Sequence, residues 1–226
     1  MSTTLIPKTI FDFFNKLEKN NNREWFNENK KEFKTLEAEV KGFYNEIMLQ
    51  LQEHDEIDRM KMFRIYKDVR FSKDKTPYKT HFGASYHRTK PALRGGYYVH
   101  LKPGGSFIAT GFWDPHKDDL LRIRKEFEMD DSEMREIMDQ EAFKSVWGDL
   151  VGDEVKTAPK GFNKEHKAID LIKKKQYIFT KDFTDAQVLN ADFANQISHA
   201  FKTIRPFFDY MSDVLTTDLN GVSLID

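Results

Sequence analysis

The chain has 226 residues, enough for one large domain or two small ones, and its formal net charge is −1. Because it contains no cysteine, disulfides, thiolate zinc sites and cysteine nucleophiles are excluded. Only 39% of the residues are apolar, but 20 are Phe and 8 are Tyr, so we expect aromatic rings to supply much of the buried area.

Two helices are predicted at the start of the chain. Apolar residues at helical spacing, from Ile10 to Leu17, predict a short first helix. Asn21 and Glu24, three positions apart, resemble a capping pair. They open a longer helix that is predicted to continue to Gln52.

Short segments rich in aromatic and β-branched residues follow these helices. They predict strands at residues 62–69, 80–88, 96–102 and 106–113. Gly104 and Gly105 lie between the last two segments and predict a tight hairpin. The sheet is therefore expected to be at least partly antiparallel.

The second half of the chain is predicted to be more helical. A helix is expected after Pro115, followed by a less regular stretch over residues 130–167. Residues 176–183 alternate like another strand, and a final helix over 190–215 is predicted to kink at Pro206. These elements predict a single α+β domain over residues 1–226, with a mostly antiparallel sheet packed against long N- and C-terminal helices.

Basic residues are concentrated in one part of the chain. Residues 59–113 contain twelve basic and two acidic side chains, a net charge of +10, whereas the rest of the chain carries −11. A positive field of this kind attracts phosphate and other anions. The alternative is that acidic helices pack over the basic sheet, so that the charges cancel within the molecule.

The densest run of functional groups lies between residues 63 and 80. If residues 64–70 are extended, Arg64, Asp68 and Arg70 point to one face, and the carboxylate can hold both guanidinium groups in orientations that suit a phosphate or carboxylate ligand. Ser72, Lys73 and Lys75 in the following loop would complete an anion site. The alternative is a buried structural ion network beside merely solvated lysines.

The same run resembles the signature of a known family. Residues 64–79 are similar to the conserved pattern of the family known as domain of unknown function 2461. Residues 20–26, 96–100, 111–113 and 159–162 resemble further elements of that family, so the likeness covers nearly the whole chain. Lys67 stands where the family is expected to have arginine, so a lysine ammonium, which is a point charge, replaces a planar guanidinium group that could bind a ligand through two hydrogen bonds. The resemblance implies a shared fold and a shared constellation, and it names no reaction.

Standard catalytic patterns are absent from the sequence. It has no His-Glu-x-x-His zinc motif, no Gly-x-Ser-x-Gly elbow, no Walker loop and no Gly-x-Gly-x-x-Gly fingerprint, so we predict neither a metal nor a cofactor. His81 and His87 would share a strand face but lie too far apart to chelate one ion. His100 is the histidine to consider as an acid or base, with a purely structural role as the alternative.

These observations favour a small-anion binding domain, for phosphate or carboxylate, and leave open whether it is an enzyme. The predicted ligand-binding residues are Arg64, Asp68, Arg70, Ser72, Lys73, Lys75, Tyr78, Lys79 and His100. The first alternative is a partner-binding scaffold without chemistry. The second is a nucleic-acid-binding module, whose stacking surfaces would be Tyr66, Tyr78, Tyr97 or Tyr98.

The sequence also predicts where the protein works. Residues 1–25 lack a basic start followed by an apolar run, so no signal peptide is expected. The longest uncharged stretch in the middle of the chain covers residues 103–113, far fewer than the ~20 that a membrane-spanning helix needs. We therefore expect a cytoplasmic protein with no membrane partner, and the sequence does not predict its oligomeric state.

Overall fold

The computed structural model describes residues 4–225. It combines helices with a five-stranded antiparallel sheet in the order β1-β2-β3-β4-β5, which confirms the predicted α+β class. The strands are β1 (Ile57–Met62), β2 (Phe82–Arg88), β3 (Gly96–Leu101), β4 (Ser106–Phe112) and β5 (Tyr177–Phe183).

The helices precede and follow the first four strands. Before the sheet lie α1 (Lys8–Lys19), α2 (Arg23–Glu28) and α3 (Lys30–Gln52). Between β4 and β5 lie α4 (Lys117–Met129), α5 (Ser132–Asp139), α6 (Glu141–Trp147) and α7 (Ile169–Ile172). The chain ends with α8 (Asp185–Val188), α9 (Phe193–Thr203) and α10 (Arg205–Thr216).

The described chain divides into two compact units, each built from three separate stretches. The first unit contains residues up to Tyr86, then Tyr98–Ile108 and Asp182–His199. The second contains His87–Tyr97, Ala109–Lys181 and the residues from Ala200 onward. The prediction of a single domain stays a prediction, and each unit is described separately.

The core of the first unit is aromatic, as its composition predicts. Helix α1 buries Phe13 and Phe14, because its apolar residues recur every three or four positions along one face. Phe82 at the start of β2 contacts Phe14 and Phe33, with ring centroids 4.9 and 5.7 Å apart. Each ring that is fully buried in this way contributes about 1.5–3 kcal/mol to folding. One face of β2 is thus fixed against helices of this unit.

The second unit contains a buried arginine. The Arg88 side chain is inaccessible to solvent, and its Nη1 donates to the carbonyl of Arg94 at 2.8 Å and to Ser212 Oγ at 3.2 Å. Its guanidinium lies 4.7 Å from the centroid of the Phe208 ring. Gly95 has φ +84° and passes so close to this ring that a Cβ atom would clash with it. The arginine is therefore part of the packed interior and not of an exposed basic face.

The predicted strand over 62–69 is wrong. Strand β1 ends at Met62; the Phe63 N–H still donates to the Gly83 carbonyl at 2.8 Å, and the chain then forms an isolated bridge between Tyr66 and Tyr78. The alternation of aromatic and basic residues in this run is typical of a strand. In the structure, its backbone pairs with the segment just before β2 across a loop and does not extend the sheet edge.

The predicted long helices are each interrupted. The helix predicted from about Trp25 to Gln52 breaks at Asn29, whose φ and ψ of −99° and 7° leave the helical region. The final helix breaks after Thr203, and Pro206 lies in the first turn of α10, where its missing N–H costs nothing.

The region 130–167 includes the regular helices α5 and α6. The N-terminal cap of α2 is Asn22 and not Asn21, since Asn22 accepts from the Trp25 N–H.

Candidate functional site

The basic loop, defined here as residues 64–79, is held in place by backbone pairing and by one side chain. The Lys67 N–H donates to the Pro77 carbonyl at 2.9 Å, and the Lys79 N–H donates to the Ile65 carbonyl at 2.7 Å. Asn21 completes the pairing, because its amide donates to the Tyr78 carbonyl at 2.9 Å and accepts from the Tyr78 N–H at 3.1 Å. The Asn21 side chain thus acts like the backbone of a neighbouring strand.

The two carboxylates of the basic loop each bind one of its cations. Asp68 accepts from Arg70 Nε at 2.9 Å and from Nη2 at 2.7 Å, which lowers the pKa of the carboxyl group. Asp74 accepts from the Lys67 ammonium at 2.8 Å, and this hydrogen bond is the main cause that holds the Asp74 pKa well below its usual range. Both pairs are largely exposed, so they orient the side chains more than they stabilise the fold.

The predicted line of Arg64, Asp68 and Arg70 is only partly formed. Asp68 binds Arg70 alone, whereas Arg64 is exposed and makes no hydrogen bond or ion pair with residues 4–225. The remaining loop residues do not converge either. Ser72 and Lys73 are exposed at the tip, the Lys75 ammonium donates to the Val69 carbonyl at 2.9 Å, and Tyr78 is buried under Phe26 with ring centroids 4.0 Å apart.

Four rings meet next to the loop, and we call His81, Tyr98, His100 and Phe107 the histidine cluster. The two imidazole rings lie 4.1 Å apart between centroids, and His100 stacks on Phe107 at 4.6 Å. The Tyr98 hydroxyl is 2.9 Å from His100 Nδ1. Both histidines are half-buried.

Strand periodicity explains why these side chains share a face. Along β3 the buried residues Tyr97, Val99 and Leu101 alternate with the half-buried Tyr98 and His100. Successive side chains of a strand point to opposite faces, so Tyr98 and His100 stand together on the less buried one. Gly83 leaves room for them, because a Cβ at this position would lie 2.6 Å from the Tyr98 hydroxyl.

The surroundings of the cluster keep both histidines neutral. Burial is the main cause that lowers the pKa of His81 to about 3 and that of His100 to about 4. The interaction with His100 lowers the pKa of His81 further, as do the positive charges of Lys79, Lys102 and Lys67, and the charge of Lys102 lowers the pKa of His100. At neutral pH each imidazole therefore offers one donor and one acceptor nitrogen.

The lysines beside the cluster pack on an aromatic ring. The ammonium groups of Lys61 and Lys79 each lie 5.6 Å from the centroid of Phe63, whose ring is 6.0 Å from that of Tyr98. Burial, and next the charge of Arg64, lower the pKa of Lys79. This places Lys79 and Arg64 close enough together for their charges to repel.

The structure thus brings together some of the predicted residues and adds one that the sequence did not single out. His100 belongs to the histidine cluster, Lys79 acts on its neighbour His81, and Arg64 lies near Lys79. His81 was not among the predicted site residues. The antiparallel pairing of β2 with β3 indicates that His81 belongs to the site, because it brings the start of β2 beside the end of β3.

The tyrosines predicted as stacking surfaces differ in exposure. Tyr78 and Tyr97 are buried, Tyr98 is half-buried, and Tyr66 is exposed.

Residues 4–225 contain no group of three or more His, Asp or Glu side chains placed to hold a metal ion. Within the same residues no helix is both long and apolar enough to cross a membrane.

The chain is similar to a known protein family. A family model described as a conserved hypothetical protein (DUF2461) matches residues 9–210. No curated protein and no solved structure matches the chain.

Proposed function

The chain belongs to the DUF2461 family, as the sequence motifs predict, and since the description of that family names no activity, we propose from the geometry of the histidine cluster that the protein binds a small anion. The proposed ligand is phosphate or a carboxylate. The proposal is of binding, and it assigns no reaction.

One observation carries the proposal: the charges that act on the histidine pair are all positive. Lys79, Lys102 and Lys67 lower the pKa of His81; Lys67 is paired with Asp74 at 2.8 Å, whereas Lys79 and Lys102 have no ion-pair partner within residues 4–225. Cations gathered around a half-buried site repel one another unless an anion lies among them. A bound oxyanion would relieve this repulsion.

The neutral imidazoles fit such a ligand as hydrogen-bonding groups. His81 and His100 can each present an N–H to an anionic oxygen, and Tyr98 can orient His100 through its hydroxyl. An anion that binds beside them would also favour their protonated forms. Binding should therefore be accompanied by proton uptake at moderately acidic pH.

The basic loop supplies further contacts in this proposal. Arg64 is exposed beside Lys79 and is free to reach a bound anion. Arg70 and Lys67 are oriented by Asp68 and Asp74, so each has donors left over for a ligand. Ser72, Lys73 and Lys75 lie farther along the loop and would contact a larger anionic ligand.

The test is a thermal unfolding experiment with inorganic phosphate, against chloride at matched ionic strength. At ten times its dissociation constant, a ligand stabilises the folded state by about 1.4 kcal/mol. For a chain of this length that raises the unfolding midpoint by about 3–6 °C. No rise at millimolar phosphate would contradict the proposal.

A matched pair of variants shows whether the cluster is responsible. Lys79→Met and Lys61→Met each remove an ammonium group 5.6 Å from the Phe63 ring, but only Lys79 is among the cations that act on His81. We expect Lys79→Met to abolish most of the phosphate-dependent rise and Lys61→Met to retain it. Equal losses in the two variants would assign the effect to general surface charge.

A further inference from the structure

A concave surface lies in the second unit, far along the chain from the histidine cluster. It is open to solvent, has a volume of about 650 Å³ and follows the turn at residues 159–162, which the sequence singled out and the proposed function does not use. We call it the lysine depression. Its lining residues are Lys156, Thr157, Ala158, Phe162, Asn163, Lys164, Ile169 and Lys173.

Backbone pairing fixes the walls of the lysine depression. The Val155 N–H donates to the Lys173 carbonyl at 2.9 Å, which holds Lys156 beside Lys173. In the turn that follows along the chain, the Phe162 N–H donates to the Pro159 carbonyl at 3.1 Å. The lysine depression is therefore lined by residues whose backbone is held by hydrogen bonds.

The polar groups of the lining are mainly donors. Three lysines line the lysine depression and no carboxylate does. Lys173 is 3.5 Å from Glu154 and Lys164 is 3.7 Å from Glu165, whereas Lys156 has no ion-pair partner within residues 4–225. The Asn163 side-chain oxygen already accepts from the Glu165 N–H, which leaves its NH₂ group to donate. Such a lining fits an acceptor that carries negative charge.

The remaining lining is apolar. Ala158, Phe162 and Ile169 are half-buried, and the Phe162 ring is held in place by the Lys125 ammonium, 4.8 Å from its centroid. Ligand pockets of about 300–1,000 Å³ combine an apolar lining with a few directed polar groups. Inorganic phosphate or acetate would leave the apolar part of this surface in contact with water.

From this combination we infer that the lysine depression binds a small organic anion with an apolar ring, such as an aryl phosphate or an aryl carboxylate. The anionic oxygens contact Lys156 and the Asn163 amide, and the ring packs against Phe162 and Ile169. Glu154 competes with the ligand for Lys173. All of these residues belong to the second unit, so this site stands independently of the proposed function.

The experiment is a titration of the full-length protein with phenyl phosphate, followed through the backbone amide signals in NMR spectra. We expect saturable shifts confined to residues 155–173, with benzoate acting on the same amides. Methyl phosphate, which lacks the ring, and benzyl alcohol, which lacks the charge, should each bind about tenfold more weakly or not at all. Shifts that fail to saturate, or that benzyl alcohol reproduces, would overturn the inference.

Three variants test the assigned contacts. Lys156→Ala should weaken phenyl phosphate binding about tenfold, because it removes one charge-assisted contact. Lys160→Ala removes an exposed lysine from the same turn that does not line the lysine depression, and it should stay within about twofold of the wild type. Glu154→Gln frees Lys173 and should strengthen binding. Equal losses in Lys156→Ala and Lys160→Ala, or weaker binding by Glu154→Gln, would count against the site.

Discussion

Acidification should destabilise the protein through the two histidines of the cluster. Their pKa values in the folded state, about 3 for His81 and about 4 for His100, lie below the ordinary value of 6.5. The unfolded chain therefore binds protons first as the pH falls. The stabilisation is complete above about pH 6.5 and is lost progressively between there and the folded-state values.

The size of this destabilisation follows from the difference between the histidine pKa values of the folded and unfolded states. For one histidine with an unfolded pKa of 6.5 and a folded pKa below 5, lowering the pH from 7 to 5 costs about 2 kcal/mol. Both imidazoles are half-buried, and water screens part of the effect, so we expect about 2 kcal/mol for the pair together. That is a substantial part of the ~5–15 kcal/mol that stabilises a typical domain.

Urea denaturation at pH 7 and pH 5 measures this loss of unfolding free energy, in the wild type and in the double variant His81→Gln/His100→Gln. Other groups titrate over this range, so the informative quantity is the difference between the two proteins in their loss of unfolding free energy. His199→Gln removes an exposed imidazole that makes no hydrogen bond or ion pair within residues 4–225, and it serves as the matched control. If the double variant loses as much stability on acidification as the wild type, the histidines are not held neutral and the reasoning fails.

Two further substitutions test the geometry of the site. Gly83→Ala places a methyl group against the Tyr98 hydroxyl and should weaken phosphate binding several-fold in calorimetric titration, and unchanged affinity would show that Tyr98 does not orient the site. Asn21→Ala removes two hydrogen bonds to the Tyr78 backbone and should cost about 1–3 kcal/mol and speed hydrogen exchange of the Tyr78 amide. Asn22→Ala removes only the cap of α2 and should leave that exchange rate unchanged, so equal acceleration in both variants would contradict this assignment.

The parts of the fold that local patterns determine were predictable from the sequence. The strands predicted at 80–88, 96–102 and 106–113 correspond to β2, β3 and β4 within about two residues, as is usual for such boundaries. The hairpin between the last two has its glycine at positive φ, with Gly104 at +63°. Alternation along a strand and glycines in a turn are properties of neighbouring residues, so they can be seen without a structure.

The features that depend on distant residues were not predictable in the same way. Residues 64–70 alternate like a strand, but their conformation is decided by pairing with residues 77–79, which Asn21 fixes from the N-terminal turn. The contact between His81 and His100 depends on the register of two strands, which no local spacing reveals. The prediction of an anion site near Lys79 and His100 stays a prediction.

The division of the chain into interleaved stretches limits how this protein can be dissected. Deleting everything after Lys181 removes residues 182–199 from the first unit and the residues from Ala200 onward from the second. No single cleavage of the chain yields either unit whole. Fragments made to separate the histidine cluster from the lysine depression would lack part of their own cores, so point substitutions in the intact protein are the better tool for separating the two sites.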